Sequence, residues 1–485
     1  MTFDLILKGG TLATAEGAFA ADLAVRGGRI AAIGHDLGDA RETVDAAGRI
    51  VTPGGVDPHC HVEQLSASGL VNADTFASAT GSAAIGGTTT VIPFAAQHVG
   101  MSLKTVVEDY HGLAEGKCAV DYAFHMILTD PRPEVIAEEL PPLIASGHSS
   151  LKCFLTYDRL RVGDEQFLDV LAAARRHGAM VMVHAENHGL IAWIGKRLIA
   201  GGHARPAFHV TSHPRAGEAE AIGRAIALAA FVDQPLMIYH VSTREGVDVV
   251  RRARGQGVKV FAETCTQYLA LTAKDLDRPG VEGAMWMCSP PLRDPDDQDA
   301  LWQGLMDGTL QLVSSDHAPY RMDESGKLNM GEAPTFKQIA NGMPGLEMRL
   351  PVLFDLMVSG GRATLADFVR LTATAPAQLY GLHPKKGSLM PGADADLVLW
   401  DPERTVEVTH ETPHDNAGYT PFAGRTLKGW PERVYLRGTL VAADGGLVAE
   451  GGGRFLPRAA GEAAKPTGRR APELDPARNF GAVID

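Results

Sequence analysis

Four histidines, one aspartate and one lysine stand where a folded chain could gather them around a cation. His59 and His61, separated by Cys60, follow the run Ile-Val-Thr-Pro-Gly-Gly-Val-Asp-Pro at 50–58. His184 follows Met-Val-Met-Val at 180–183, and His240 follows Leu-Met-Ile-Tyr at 236–239. Asp316 follows Leu-Gln-Leu-Val-Ser-Ser at 310–315. In a strand, residues i and i+2 face the same way, so His59 and His61 can offer two imidazoles to one ion while Cys60 faces elsewhere. Imidazole nitrogen and carboxylate oxygen suit Zn2+, with Mn2+ or Co2+ as substitutes. Taken singly, each of the 18 histidines is better explained as a packed or solvated side chain. Taken together, the strand-end positions make a metal site the better reading.

Lys152 is the odd member, inside the apolar run Leu-Lys-Cys-Phe-Leu at 151–155. Burying an ammonium among Leu151, Phe154 and metal cations is costly. Two readings stay open. The lysine snorkels to the rim, or its neutral amine has captured carbon dioxide and become an anionic carbamate able to bridge two metals.

These residues need a scaffold that brings strand ends together. Strand-like runs fall at 55–58, 89–94, 122–128, 150–155, 180–183, 236–239, 258–262 and 311–314, and helical stretches such as 166–177 and 218–231 separate them. Strands joined through helices pair in parallel. Eight of them in about 260 residues is the size of an α/β (β/α)8 barrel, which collects its functional groups at the C-terminal strand ends. Short alternating runs broken by Gly-Gly at 4–13 and 22–34 are hairpin signals, and their texture returns at 395–400 and 434–441. The expected organisation is a β-sandwich domain built from both chain ends (1–53 plus 388–457), a barrel domain (54–387) and an extended C-terminal arm (458–485). The arm carries little apolar periodicity, and is expected to pack on a neighbour or to be partly disordered.

Composition narrows the class. The 485 residues exceed the roughly 250–300 that one core usually serves. A net charge of -13 disfavours nucleic acid as a partner. No run of about 20 apolar residues is present to span a membrane, and Met-Thr-Phe-Asp at the start reads as a strand, not as a signal peptide. Five scattered cysteines without Cys-x-x-Cys spacing point to the reduced cytoplasm.

At these residues the sequence resembles the cyclic amidohydrolases, most closely the dihydropyrimidinase and D-hydantoinase branch of the amidohydrolase superfamily. The matching motifs are Gly-Gly-Val-Asp-Pro-His-Cys-His at 54–61, Ser-Leu-Lys-Cys-Phe-Leu-Thr-Tyr at 150–157, Val-His-Ala-Glu at 183–186 and Tyr-His-Val-Ser at 239–242. Further along come Cys-Ser-Pro-Pro-Leu-Arg at 288–293, Ser-Asp-His-Ala-Pro at 315–319, Asn-Gly-Met-Pro-Gly-Leu-Glu-Met-Arg at 341–349 and Gly-Ala-Asp-Ala-Asp-Leu-Val at 392–398. The likeness extends to about residue 455. It implies that His59, His61 and Asp316 hold one metal ion and that His184 and His240 hold the other, with N6-carboxylated Lys152 and a hydroxide bridging the pair. It also implies that Tyr157 donates to the developing oxyanion, that Ser289 and Asn341 contact the ring's amide edge, and that Asp316 moves the proton.

The implied reaction is hydrolysis of the cyclic amide bond of a hydantoin or dihydropyrimidine (a cyclic ureide or imide), giving an N-carbamoyl amino acid. Allantoinase-like specificity is the alternative, with a superfamily deaminase or a non-catalytic scaffold behind it. A homo-oligomer, tetramer or dimer, is expected by the same likeness. Dihydroorotase-like relatives carry His-x-His-x-Arg, whose arginine pairs with a substrate carboxylate. Here the register ends in Val62-Glu63, and a Glu63 facing the pocket would favour a neutral ring. The loop Glu-Gln-Leu-Ser-Ala-Ser-Gly-Leu at 63–70 departs from the usual dihydropyrimidinase loops. Leu65, Leu70, Phe94 and Phe154 are expected to line the pocket for the ring substituent.

Overall fold

The run Met180–His184 is buried at all five positions, the mark of a strand covered on both faces. It lies mid-sheet in a computed structural model that describes residues 2–66 and 68–484. Met1, Asp485 and Ala67, the last within the expected pocket loop, lie outside the described residues. From one edge the strands run Leu312–Ser314, Val260–Cys265, Leu236–Ile238, Met180–His184, Ser150–Phe154, His125–Ile127, Thr88–Ala96 and Gly55–Cys60, with parallel neighbours throughout. All eight expected strands are present. The third is broken: Asp121–Tyr122 pairs with Thr88–Ala96 before His125–Ile127 takes over.

The crossover helices form where the apolar spacing placed them. Asp164–His177 has Asp164 and Glu165 in its first turn, Arg175 and Arg176 in its last, and left-handed Gly178 (φ 72°) as its cap. Acids at the start and bases at the end oppose the helix dipole, and glycine takes the left-handed cap without a Cβ clash.

The barrel does not close by a regular ladder. Between the first and last strands, His61 N–H donates to His317 O at 2.7 Å and Ser315 N–H to Asp57 Oδ1 at 3.3 Å. Arg349, wholly buried, donates through Nη1 to Val56 O and Val313 O, both at 3.1 Å, and through Nη2 to Thr88 Oγ1 at 3.2 Å. A guanidinium with its forked donors thus takes the place of ladder bonds at the seam.

The two chain ends meet in a second, nine-stranded sheet that is mostly antiparallel. Ile50–Pro53 pairs in parallel with Phe3–Thr14 and antiparallel with Leu397–Glu407, which continues through Thr426–Leu436 to Thr439–Ala443 and Gly446–Leu447. Leu5, Leu7, Leu23, Val25, Val51, Leu397 and Leu399 form its own core. Ile50–Pro53 leads through Gly54 into Gly55–Cys60, so this sheet anchors the strand that carries His59.

The expected arm packs on its own chain instead of being free along its first dozen residues. Arg458 is buried and donates to Ser150 Oγ (2.7 Å) and Phe124 O (2.5 Å), while the backbone N–H groups of Thr467, Gly468 and Arg469 converge on the Asp233 carboxylate.

One lysine ties the two sheets. Lys386 Nζ, fully buried, lies 2.6 Å from Asp121 of the barrel, and 2.6 and 3.0 Å from Asp396 and Asp394 beside the second sheet. Removing one partner of such a cluster leaves uncompensated buried charge, which costs about 3–5 kcal/mol. Lys386→Met is therefore expected to lower the thermal unfolding midpoint clearly, as read by calorimetry; an unchanged midpoint would show that the clamp carries no stability.

Candidate active site

The strand ends deliver their side chains to one place. His59 is next to last in its strand and His61 follows it, while Cys60 points into the core. Lys152 sits inside Ser150–Phe154, His184 ends Met180–His184, and His240 and Asp316 each stand two residues beyond their strands. Three residues of the site turn through left-handed backbone: Tyr157 (φ 71°), His240 (φ 41°) and Asp316 (φ 47°). Non-glycine residues rarely occupy that region, and where they do the strain is often tied to function.

Asp316 Oδ1 lies 3.0 Å from His59 Nε2 and 3.2 Å from His61 Nε2. The His184 and His240 rings lie 4.4 Å apart, and His59 is 5.4 Å from His240. Lys152 Nζ lies in the same cavity, 4.0 Å from the Tyr239 ring centre. All six residues, with Tyr157, Ser289 and Asn341, line a cavity of about 260 Å³. That is just below the range of roughly 300–1,000 Å³ usual for drug-sized ligands, so the site suits a small molecule.

Burial governs the charges. It lowers the Lys152 amine to about 7 and holds His61, His184 and, most of all, His240 below the ordinary imidazole range. Burial alone would lower His59 too, but Asp316 and Glu263 raise it to about 9. It would likewise raise Asp316, yet His59 and His61 hold that carboxyl well below its usual range. Two buried nitrogens, Lys152 Nζ and His240 Nδ1, have no hydrogen-bond partner. Orphaned donors of this kind are costly in a core. Four imidazoles, one carboxylate and a lysine able to become a carbamate form an N/O donor set that fits a pair of divalent cations.

Several supporting residues were not apparent from the sequence. Glu263 bonds His59 Nδ1 at 2.5 Å, so that Nε2 faces Asp316. Gln64 bonds His61 Nδ1 at 2.7 Å, and Glu186 spans His184 Nε2 and His213 Nδ1, both at 2.8 Å. The available signal was a carboxylate inside the apolar strand Val260–Cys265, the same kind that singles out Lys152.

Two expectations about the pocket are corrected. Glu63 does not face it: its carboxylate accepts Phe76 N–H at 2.8 Å, so repulsion by Glu63 gives no ground for a neutral ring. Phe94 lies beneath the imidazoles, 4.7 Å from His61 and 5.3 Å from His59, and Leu70 is also absent from the lining. Leu65 and Phe154 do line the cavity, joined by Ile127, Leu160 and Ile339. Ser289 Oγ lies 3.2 Å from His209 Nε2 and bonds the Tyr157 hydroxyl, whose acidity burial suppresses strongly; Asn341 Oδ1 is buried and unpartnered.

Residues 50–441 match the profile of the amidohydrolase family. The chain belongs to that family. Within it, this amidohydrolase falls in the hydantoinase and dihydropyrimidinase branch. It is 43% identical over 457 residues to a D-hydantoinase from Ralstonia pickettii, covering 94% of this chain and 99% of the relative. A solved dihydropyrimidinase from Brevibacillus agri is 39% identical with a TM-score of 0.91, covering 94% and 99% of the two chains. An L-hydantoinase (dihydropyrimidinase) from Arthrobacter aurescens is 29% identical with a TM-score of 0.83, covering 94% and 100%.

Carboxylates that orient a metal-binding histidine typically contribute 10–100-fold to metal affinity. In this amidohydrolase Glu263→Gln keeps the shape and removes the charge, and is expected to weaken divalent-metal binding by about that factor in competition with a chelator. Unchanged affinity would remove Glu263 from the supporting shell.

Proposed function

We propose that this amidohydrolase opens the ring of a hydantoin or dihydropyrimidine by hydrolysing its cyclic amide bond, releasing an N-carbamoyl amino acid. Membership of the hydantoinase branch supports the reaction class. The observation that carries the site assignment is the buried, unpartnered Lys152 amine in one cavity with four imidazoles. In this reading His59, His61 and Asp316 hold one divalent ion, His184 and His240 the other, and Lys152, carboxylated by carbon dioxide, reaches both. Zn2+ is the first choice, with Mn2+ or Co2+ as substitutes. When bound, the metals supply Lewis acidity and a water whose pKa falls from about 15.7 toward 7.

The chain's own groups do the rest. Burial keeps the Tyr157 hydroxyl protonated, so it donates to the carbonyl oxygen as negative charge builds there. Asp316 stays ionised and can accept a proton from the attacking water. The proton it takes can then pass to the ring nitrogen, a poor leaving group until protonated. Ser289 and Asn341 hold the amide edge of the ring. The reading includes a homo-oligomer of four or two copies in the cytoplasm, where five buried free cysteines stay reduced. No helix among the described residues is long and apolar enough to cross a membrane.

The direct test follows ring opening of hydantoin, dihydrouracil, substituted hydantoins, succinimide and allantoin by purified enzyme, with metal content measured alongside. Opening of the first two classes is expected; no opening of any ring would refute the reading. Lys152→Ala should fold, retain fewer than two metal ions per chain and lose at least roughly 100-fold in turnover, whereas full turnover would overturn the bridging assignment. Tyr157→Phe should lower kcat by about 10²–10³-fold at little changed KM, the cost of one oxyanion donor. A loss confined to KM would place the hydroxyl on the substrate's ground state instead.

A further inference from the structure

Lys327 is wholly buried and stands outside the reaction described above. Burial lowers its amine to about 7, and the group that opposes this is Cys288, not a carboxylate. Its Nζ donates to two backbone carbonyls, Ala340 O at 2.9 Å and Met287 O at 3.4 Å. Those carbonyls belong to separate loops, one running on to Ser289 and the other to Asn341.

The loops meet again at the same point, since Gly342 N–H donates to Met287 O at 2.9 Å. From its other side the second loop is held by Ala318 N–H on Met343 O, also at 2.9 Å. It is pressed so closely there that a Cβ at Gly342 (φ 147°) would lie 2.3 Å from Ala318 O. Asn341 Oδ1 has no partner, so the position of that residue is set by its loop and not by bonds of its own oxygen.

We propose that Lys327 is a positioning residue for substrate: by bonding Met287 O and Ala340 O together, it sets the distance between the loops that carry Ser289 and Asn341. The proposal rests on the assignment of those two residues to the ring's amide edge. The grip it controls is on the part of the substrate that all rings share, so its loss affects substituted and unsubstituted rings alike. The metal-binding residues stand on other elements and are left in place.

Lys327→Met keeps much of the stem and removes the donors; Lys327→Gln keeps donors on a shorter stem. Three readouts decide: kinetics on hydantoin and a substituted hydantoin, metal content, and hydrogen exchange at 287–290 and 340–343. For Lys327→Met, KM is expected to rise about tenfold on both rings with kcat within about twofold. Metal content should be unchanged and exchange faster in those two segments alone, with Lys327→Gln intermediate. An unchanged KM, or a fall in kcat and metal content together with faster exchange throughout the chain, would overturn the proposal. Should the Met variant not fold, the Gln variant decides by the same readouts. Wild-type enzyme that opens no ring would sink the functional reading by itself, and local exchange would then decide whether Lys327 holds the loops.

Discussion

The site depends on a shortage of negative charge in a dry place. Four imidazoles and an amine converge at the end of the barrel, and the carboxylates that reach them are already shared out. Asp316 serves His59 and His61, Glu263 serves His59, and Glu186 serves His184. Lys152 Nζ and His240 Nδ1 have nothing. A protonated lysine there would be an uncompensated buried charge, so the amine is driven toward its neutral form, which is the form that can react with carbon dioxide. In the proposed function, carboxylation would turn the least satisfied group into an anion, and two divalent cations would supply the opposite charge. The features that look unfavourable one by one become consistent once they are taken as halves of the same arrangement.

A second constraint lies at the seam. His59 and His61 come from the first barrel strand and Asp316 from beyond the last, so the ion they share in the proposed function spans the one junction where the sheet lacks a regular ladder. Their alignment is set by side chains. Arg349 joins Val56 to Val313, and His317, next to Asp316, bonds Asp74 through Nε2 while its Nδ1 accepts Gly345 N–H at 3.1 Å. Asp74 in turn accepts Asn416 N–H from the second half of the chain. The geometry at Asp316 is therefore fixed by contacts between segments hundreds of residues apart, a task backbone register performs at the other strand pairs.

The parts legible in the sequence were those with a local cause. A strand buried on both faces is a continuous apolar run, so the eight strands emerged within a few residues of their observed ends, and a ligand at a strand end is visible as a polar residue after such a run. Glu63 occupies the register position where dihydroorotase-like relatives carry a pocket arginine, yet the strand stops at Cys60 and Glu63 itself turns left-handed at φ 46°, away from the pocket. Phe94 does point at the imidazoles but packs against them instead of lining the cavity, and a strand buried at every position carries no signal of how far a residue lies from the mouth. Glu263, Arg349 and Lys386 are charged residues that each have a partner remote in the chain; Glu263 bonds a histidine 204 residues away and Lys386 an aspartate 265 away. No local pattern encodes such a pair.

The solved relatives include proteins named for D- and for L-hydantoins, and this chain superimposes on both kinds along nearly its whole length. The proposed metal-binding groups sit on strands or within two residues of them, whereas Leu65, Leu160 and Ile339 come from loops that need satisfy no sheet register. Rigid strands keep the reacting groups in place while loop side chains change with little effect on the cation cage. The loop at 63–70 is held at its start, where Gln64 bonds His61 Nδ1 and Glu63 accepts Phe76 N–H from the helix Phe76–Ile85, so side chains further along it can change without loosening His61.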